Sequence, residues 1–253
     1  MSHPRRLRLL PAFLALVGLS LAGCAPLPTP AASPIATGTQ TATETGAPIP
    51  NVQDFQFTSF NANYQLSRDA AGRSVLLTTE RLVAKFPEYD QNRGIKRDLP
   101  TVFNGHPTDL EIVAVTDARG RPIAYDSTPG SDALSVVIAV PAGQYVHGEQ
   151  TYVIVYQQHS VIGDFGDGQK LTWDVNGTQW GQPFGVVSAR IEVDAELAGN
   201  LIDGATCSYG LTGSTHQCDV QSAKGVFSMA AKDLGPGASL TFAIPFMAGT
   251  FSE

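Results

Sequence analysis

The chain has 253 residues, 43% of them hydrophobic, with 16 basic and 23 acidic side chains. Three basic residues precede Cys24 and all the acidic ones follow it, so the remainder holds 13 basic against 23 acidic residues, a net charge of −10. This balance argues against nucleic acid as a partner and against a polybasic membrane contact.

The first 23 residues have the three-part form of an export signal. Three arginines lead into the 13-residue apolar run Leu9–Leu21, which contains Pro11 and is too short to span a bilayer. The run ends in L-A-G-C, a bacterial lipobox, which predicts cleavage before Cys24 and acylation of its thiol. We therefore expect a lipoprotein signal peptide at 1–23, and a mature chain anchored in the bilayer by Cys24 on the extracytoplasmic face of a bacterial cell membrane. The alternative is an ordinary secreted signal with an incidental cysteine.

The segment after Cys24 has the composition of a linker. Up to Pro50 it is almost wholly Ala, Pro, Thr, Ser and Gly, with Glu44 as its one charge. Such a segment offers too little apolar surface to offset the entropy of ordering the backbone. The sequence predicts a lipidated cysteine and disordered linker at 24–51, and a folded domain at 52–253.

Beyond Val52, apolar and polar residues alternate at the period of a β-strand. Turn residues separate the runs, Asp117 to Gly120 predicts a hairpin, and residues 163–168 predict a glycine-rich loop. The predicted strands are 55–66, 75–86, 110–116, 122–125, 134–140, 151–158, 170–174, 186–194, 225–230 and 239–246.

Ten or so short strands without a long amphipathic helix predict an all-β fold. We expect an antiparallel β-sandwich of immunoglobulin-like type, with a closed barrel as the chief alternative. The roughly 200 residues after the linker suit one large domain or two small β units. We favour two units, with a possible boundary near 184–200.

Cys207 and Cys218 are predicted to form a disulfide, because the exported setting is oxidising. Closing so small a loop stabilises a protein by roughly 2 to 3 kcal/mol in the chain-entropy model. A metal or redox role is the alternative, but no C-x-x-C is present and His216 stands alone beside Cys218. We expect no metal and no cofactor; Asp164 and Asp167 fit an exposed turn better than a calcium loop.

Two clusters are candidate binding residues. Arg93, Lys96 and Arg97 form a basic segment in an acidic domain, which favours contact with an anion or a partner. The alternative is that Arg97 pairs with Glu80 or Asp98 inside the sandwich.

Trp173 and Trp180, the two tryptophans of the chain, lie close together in the sequence. They are candidates for stacking on a sugar ring, or else they close the end of the core.

In chain order, four segments resemble a bacterial family, domain of unknown function 2207, whose members are predicted membrane proteins. They are L-T-T-E-R-L at 77–82, G-I-K-R-D-L-P at 94–100, L-T-W-D-V-N-G-T-Q-W at 171–180, and the cysteine pair with Gly210 and Gly213 between. The resemblance implies an extracytoplasmic domain and brings no known catalytic residue, ligand or cofactor. Members of the family usually continue into transmembrane helices, and we expect the lipid on Cys24 to replace them as anchor.

Three functions agree with these patterns. The first is a non-catalytic envelope module that binds another envelope protein or a cell-wall polymer. The second is an envelope hydrolase of cell-wall polymer, using two carboxylates among Glu80, Asp164, Asp167 and Asp174. The third is a mechanical spacer. We favour the binding module; the sequence does not give its partner, its oligomeric state or which membrane holds it.

Overall fold

The structure is a computed structural model that describes residues 54–252. The expected signal peptide, Cys24 and linker lie outside these residues. The described chain forms seventeen strands and a 3₁₀ helix (Ala195–Asn200). The strands are β1 (Gln56–Arg68), β2 (Ser74–Phe86), β3 (Gly94–Pro100), β4 (Val102–Phe103), β5 (His106–Pro107), β6 (Glu111–Thr116), β7 (Asp126–Pro129), β8 (Ala133–Ala139), β9 (Gly148–His159), β10 (Gly163–Phe165), β11 (Gly168–Asp174), β12 (Phe184–Val193), β13 (Thr206–Gly210), β14 (His216–Gln217), β15 (Gln221–Ala223), β16 (Val226–Leu234) and β17 (Ser239–Met247).

Fifteen of these strands form two packed layers, which confirms the all-β sandwich, while β4 and β5 pair with each other. One layer is a seven-stranded sheet in the order β15-β16-β12-β1-β2-β9-β6. Facing it are a five-stranded sheet, β10-β11-β17-β13-β14, and a three-stranded sheet, β3-β8-β7. The ring of Tyr64 on β1 meets that of Phe242 on β17 with centroids 5.5 Å apart, so the apolar faces of the layers form one core.

Alternation along β1 explains its place in the core, with one interruption. Phe57, Phe60, Ala62, Tyr64 and Leu66 are all buried, yet Phe57 and Phe60 are three residues apart instead of two. The pairing of β1 with β2 shifts register at this step, which is a β-bulge. A bulge inserts one extra residue, so both phenylalanines point inward.

The seven-stranded sheet contains one parallel pair, which the antiparallel expectation did not include. β12 runs parallel to β1, with Phe184 opposite Phe57. β12 is an interior strand of this sheet, hydrogen-bonded to β1 on one side and to β16 on the other. The possible boundary near 184–200 would therefore fall on a strand in the middle of the sheet. The chain therefore does not divide there, and the strands after residue 184 belong to the same sandwich as those before it.

The predicted turns have mixed outcomes. The Asp117 turn closes as predicted, with Gly120 at φ +76° and its N–H donating to Asp117 O. Residues 163–168 are not a plain loop: β10 and β11 pair as a hairpin with Phe165 opposite Gly168. The strand predicted at 122–125 does not form: Pro122 makes a single bridge to Thr116, and the next strand, β7, begins at Asp126.

The predicted disulfide joins Cys207 on β13 to Cys218, just after β14. The Cys218 N–H donates to Cys207 O, which continues the β13–β14 ladder to the disulfide. This bond fixes the base of a short hairpin at the edge of the five-stranded sheet.

Candidate functional site

The basic segment at 93–100 is divided between the surface and the core. Ile95, Arg97 and Leu99 alternate inward along β3 and are buried, whereas Lys96 points outward. The period of the strand places Arg97 among apolar neighbours, because residues two apart share one face. The predicted contact surface therefore retains Arg93 and Lys96, while Arg97 lies beneath it.

Arg97 forms a two-pronged ion pair with Glu80 of β2, which is the alternative considered from the sequence. Its Nε donates to Glu80 Oε2 at 2.9 Å and its Nη2 to Glu80 Oε1 at 2.6 Å. Although burial acts to lower the pKa of Arg97, the charge of Glu80 raises it above its usual value. The pair connects the three-stranded sheet to the opposite layer.

Tyr156 of β9 completes this buried cluster. Its hydroxyl donates to Glu80 Oε1 at 2.7 Å, so both carboxylate oxygens of Glu80 accept hydrogen bonds. Burial raises the pKa of Tyr156 well above its usual value, and the negative charge of Glu80 raises it further. The tyrosine is thus held in its neutral, donating form.

The loop after β11 closes over the other side of Arg97. Arg97 Nη1 donates to Asn176 O at 2.9 Å, and Trp180 Nε1 donates to the same oxygen at 2.8 Å. The Asn176 side chain donates to Ala238 O and accepts from Leu240 N. The loop is therefore attached both to β3 and to the start of β17, the two sheets of the second layer, with the Trp180 ring 6.0 Å from the Arg97 guanidinium carbon.

Two adjoining clefts open above this cluster. The first, of about 420 Å³, is lined by Arg93, Lys96 and Trp180, and the second, of about 300 Å³, by Arg97 and Trp173. Asp98 and Gln179 line both clefts, so they mark the boundary between the two. The structure thus brings all five sequence-predicted binding residues to one place, although they come from segments some 80 positions apart.

The exposed charges of the first cleft are held in place. Arg93 donates through Nε and Nη2 to Val140 O, at 3.0 and 2.7 Å. Lys96 Nζ lies 3.1 Å from Asp98 Oδ2. Partial burial acts to raise the pKa of Asp98, but hydrogen bonds from Ser135 and Lys96 lower it overall. The rim of the cleft therefore combines two cations with one ionised carboxylate.

Neither tryptophan presents an open face for stacking. Trp173 and Trp180 are 6% and 7% exposed, and both belong to the core. Trp173 stacks on Phe103 with centroids 6.0 Å apart, and Trp180 meets Phe57 edge to face at 4.7 Å. They line the clefts as parts of the wall, which is the structural role considered from the sequence.

The carboxylates considered for catalysis lie in different settings. Glu80 is buried in its ion pair, whereas Asp164 and Asp167 lie at the exposed β10–β11 hairpin. Asp174 ends β11 and accepts a hydrogen bond from Thr241. Within residues 54–252, His, Cys, Asp and Glu form no group of three that is able to hold a metal ion.

Sequence reasoning missed Tyr156, Asn176 and Gln179. Tyr156 reads as an ordinary strand residue, and nothing local marks its contact with Glu80. The sequence signal that was present is the Asn-Gly pair at 176–177. In the structure Gly177 has φ +72°, and an added Cβ would lie 3.1 Å from Arg97 Nη1. An Asn-Gly pair predicts a tight turn in the loop, but it does not predict that the loop contacts a distant arginine.

The described residues contain no helix that is long and apolar enough to cross a membrane. Two solved structures have a similar arrangement of strands over part of their length. Leukotriene A4 hydrolase from Saccharomyces cerevisiae is 12% identical with a TM-score of 0.45, over 77% of this chain and 30% of that one. An M1 zinc metallopeptidase from Deinococcus radiodurans is 10% identical with a TM-score of 0.40, over 74% of this chain and 42% of that one.

This chain thus spans less than half of either structure, and at these TM-scores the likeness carries no functional information. Among curated proteins, none matches the chain. A family model does match, over residues 57–246, which are most of the described domain. The chain belongs to the family described as predicted membrane protein (DUF2207), N-terminal domain.

Proposed function

We propose that this chain is a non-catalytic binding module of the bacterial envelope, held at the membrane by a lipid on Cys24. The L-A-G-C pattern supports the anchor, and the family description supports association with a membrane. A doubly or triply acylated cysteine gives stable anchoring, since each buried methylene contributes about 0.8 kcal/mol. The linker at 24–51 then gives the domain reach toward a partner.

One observation carries the proposal: the five candidate residues meet at two adjoining clefts. The buried pair of Arg97 and Glu80 lies beneath the clefts. The loop after β11, which forms one wall of the clefts and is called the loop wall, is joined to this pair because Asn176 O accepts hydrogen bonds from both Arg97 and Trp180. Binding sites gain affinity when their walls are already fixed, because less ordering is required on contact. The site is therefore suited to hold a ligand in a preformed shape.

The chemistry of the rim suits a polar partner. Lys96 and Arg93 are both exposed and line the first cleft. Gln179 is exposed and lines the same cleft with an amide group that both donates and accepts hydrogen bonds. Another envelope protein or a cell-wall polymer offers the carboxylates, amides and hydroxyls that such a rim recognises.

Envelope capture tests the proposal. The full chain, with Cys24→Ser to prevent anchoring, is immobilised and exposed to solubilised envelope from its host. Retained protein is identified by mass spectrometry and retained polymer by amino-sugar analysis. We expect Arg93→Ala with Lys96→Ala to lower retention of the specific partner at least tenfold.

The matched control is Arg81→Ala with Lys85→Ala, which removes the same charge from exposed positions of β2 outside the clefts. Equal retention by all three chains would refute the cleft as the binding site. Release of soluble fragments from cell-wall polymer by the chain would instead support the hydrolase alternative.

A further inference from the structure

β3 is an edge strand, and its open side faces the two clefts. Within residues 54–252, the strand that pairs with β3 is β8. Gly94 and Lys96 line the first cleft, Arg97 and Pro100 line the second, and Asp98 lines both. The clefts therefore lie end to end along a strand of seven residues, about 23 Å in length.

The hydrogen-bond pattern shows which backbone groups point to this edge. Val140 N donates to Arg93 O at 2.8 Å, and Thr101 N donates to Asp132 O at 2.9 Å, in register with the β3–β8 ladder. In an antiparallel pair, hydrogen-bonded positions alternate with non-bonded ones. The odd residues of β3 thus bond to β8, and the even residues turn their N–H and C=O groups to the open side.

Most even positions already have a partner. Gly94 N–H donates to Asn92 Oδ1, Asp98 O accepts from Arg97 Nη1, and Pro100 O accepts from Gln158 Nε2. Between them lie the N–H and C=O of Lys96, to which no strand of the described residues is paired. Unpaired groups of this kind form a template for one more strand.

The side chains of β3 restrict what such a strand can be. Lysine and proline on an exposed edge discourage indiscriminate pairing, and β3 carries Lys96 at its centre and Pro100 at its end. A carboxylate directly opposite Lys96 on the outer face would lie near its ammonium group, since cross-strand neighbours are about 5 Å apart. Arg93 adds a second positive charge at the start of the strand. The Arg93 and Lys96 end of the edge thus favours an acidic residue in the added strand, whereas aspartates line the second cleft.

We propose that this edge binds an extended peptide segment of an envelope partner, which adds to β3 as a further strand and carries an acidic residue opposite Lys96. The Lys96 N–H and C=O bond to the peptide backbone, and the Lys96 ammonium group pairs with a peptide carboxylate. The inference rests on the proposed function, because it names the chemistry by which the same site binds. Main-chain bonds supply affinity, and the charge selects the sequence.

The probe is a phage-displayed library of random decapeptides, selected on the immobilised full chain with Cys24→Ser. Selected peptides are then titrated against the unaltered site, Lys96→Ala and Lys96→Pro. The alanine variant removes the charge alone, whereas the proline variant also removes the edge N–H. We expect peptides that share an acidic residue, whose Kd rises three- to tenfold with Lys96→Ala and at least a further tenfold with Lys96→Pro.

Proline is tolerated where a strand N–H faces outward, so the proline variant should keep its melting temperature. A second measurement needs no variant: amide hydrogen exchange of the unaltered site with and without the selected peptide. We expect the Lys96 amide to exchange at least tenfold more slowly when peptide is bound. The Arg97 amide, already bonded to β8, should not change.

Three outcomes would overturn the strand addition. They are a failure to select any peptide, equal affinity of the two Lys96 variants without protection of the Lys96 amide, and self-association of the chain that Lys96→Pro abolishes. The last would assign the edge to a second copy. If envelope capture depends on Arg93 but Lys96→Pro does not weaken binding, the proposed function stands and the strand addition fails. If peptides bind but the chain captures nothing from the envelope, only the envelope role is refuted.

Discussion

The buried ion pair between Arg97 and Glu80 gives the sharpest prediction of stability. Arg97→Met keeps much of the length of the side chain and removes its bonds to Glu80, Asn176 and Asp98. Glu80 is then left in the core with Tyr156 as its one remaining side-chain donor among the described contacts. Removing one partner of a buried pair costs about 3 to 5 kcal/mol, because the other charge remains desolvated.

For a domain of this size, each kcal/mol lowers the melting temperature by about 2 to 4 °C. Arg97→Met is therefore expected to melt about 6 to 20 °C lower. Urea unfolding, followed by tryptophan fluorescence and circular dichroism, gives the free energy of unfolding directly. Trp180, 6.0 Å from the guanidinium carbon, serves as the local probe.

Two further variants test whether the pair itself is responsible. Lys96→Met removes the neighbouring exposed cation and should cost less than about 1 kcal/mol. The double variant Glu80→Met with Arg97→Met removes both charges and should recover at least 2 kcal/mol relative to Arg97→Met, since an apolar pair avoids the desolvation cost. An Arg97→Met loss no larger than that of Lys96→Met would refute the reasoning.

Three other predictions concern the tyrosine, the disulfide and the anchor. The raised pKa of Tyr156 means that its contribution to stability is complete below about pH 10, the pKa of an unfolded tyrosine, and is lost as pH rises toward the folded value. Tyr156→Phe should therefore flatten the fall in unfolding free energy between pH 10 and 12, and an unchanged slope would contradict this. Replacing Cys207 and Cys218 by serine should lower the unfolding free energy, as measured in urea, by about 3 kcal/mol. If the unaltered chain has the same unfolding free energy in reducing and in oxidising buffer, the disulfide does not contribute this stability. Cys24→Ser should move the chain from the membrane to the soluble fraction and abolish incorporation of labelled palmitate; retention in the membrane would refute the lipid anchor.

The sequence predicted strands well wherever the apolar period remained intact. β9 and β17 follow the predicted runs closely, since their buried residues recur at every second position. The bulge in β1 could not be located from its pattern, because a three-residue step between Phe57 and Phe60 looks like a simple irregularity. The pairing of β12 with β1 joins residues more than 120 positions apart, and no local signal specifies such a contact.

The candidate site was predictable in its members but not in its assembly. Alternation in G-I-K-R-D-L-P places Arg97 on the face of Ile95 and Leu99, so its burial follows from the strand period. Its partner was one of two acidic residues considered, and choosing between Glu80 and Asp98 required the packing of two sheets. The meeting of Asn176 with Arg97 depends on the loop after β11, whose course the sequence does not determine.

The buried cluster and the open edge of β3 are connected physically. Alternation along a strand gives successive residues opposite directions, so the side chain of Arg97 anchors β3 to the core while its neighbour Lys96 remains outside. An edge strand without such an anchor could shift register and lose the alignment of its backbone groups. The ion pair with Glu80 fixes β3 against the opposite layer, and Asn176 fixes the loop wall to the same guanidinium. A buried charge pair, which we expect to contribute little net stability over an apolar pair, is thus placed where it holds the proposed binding edge in position.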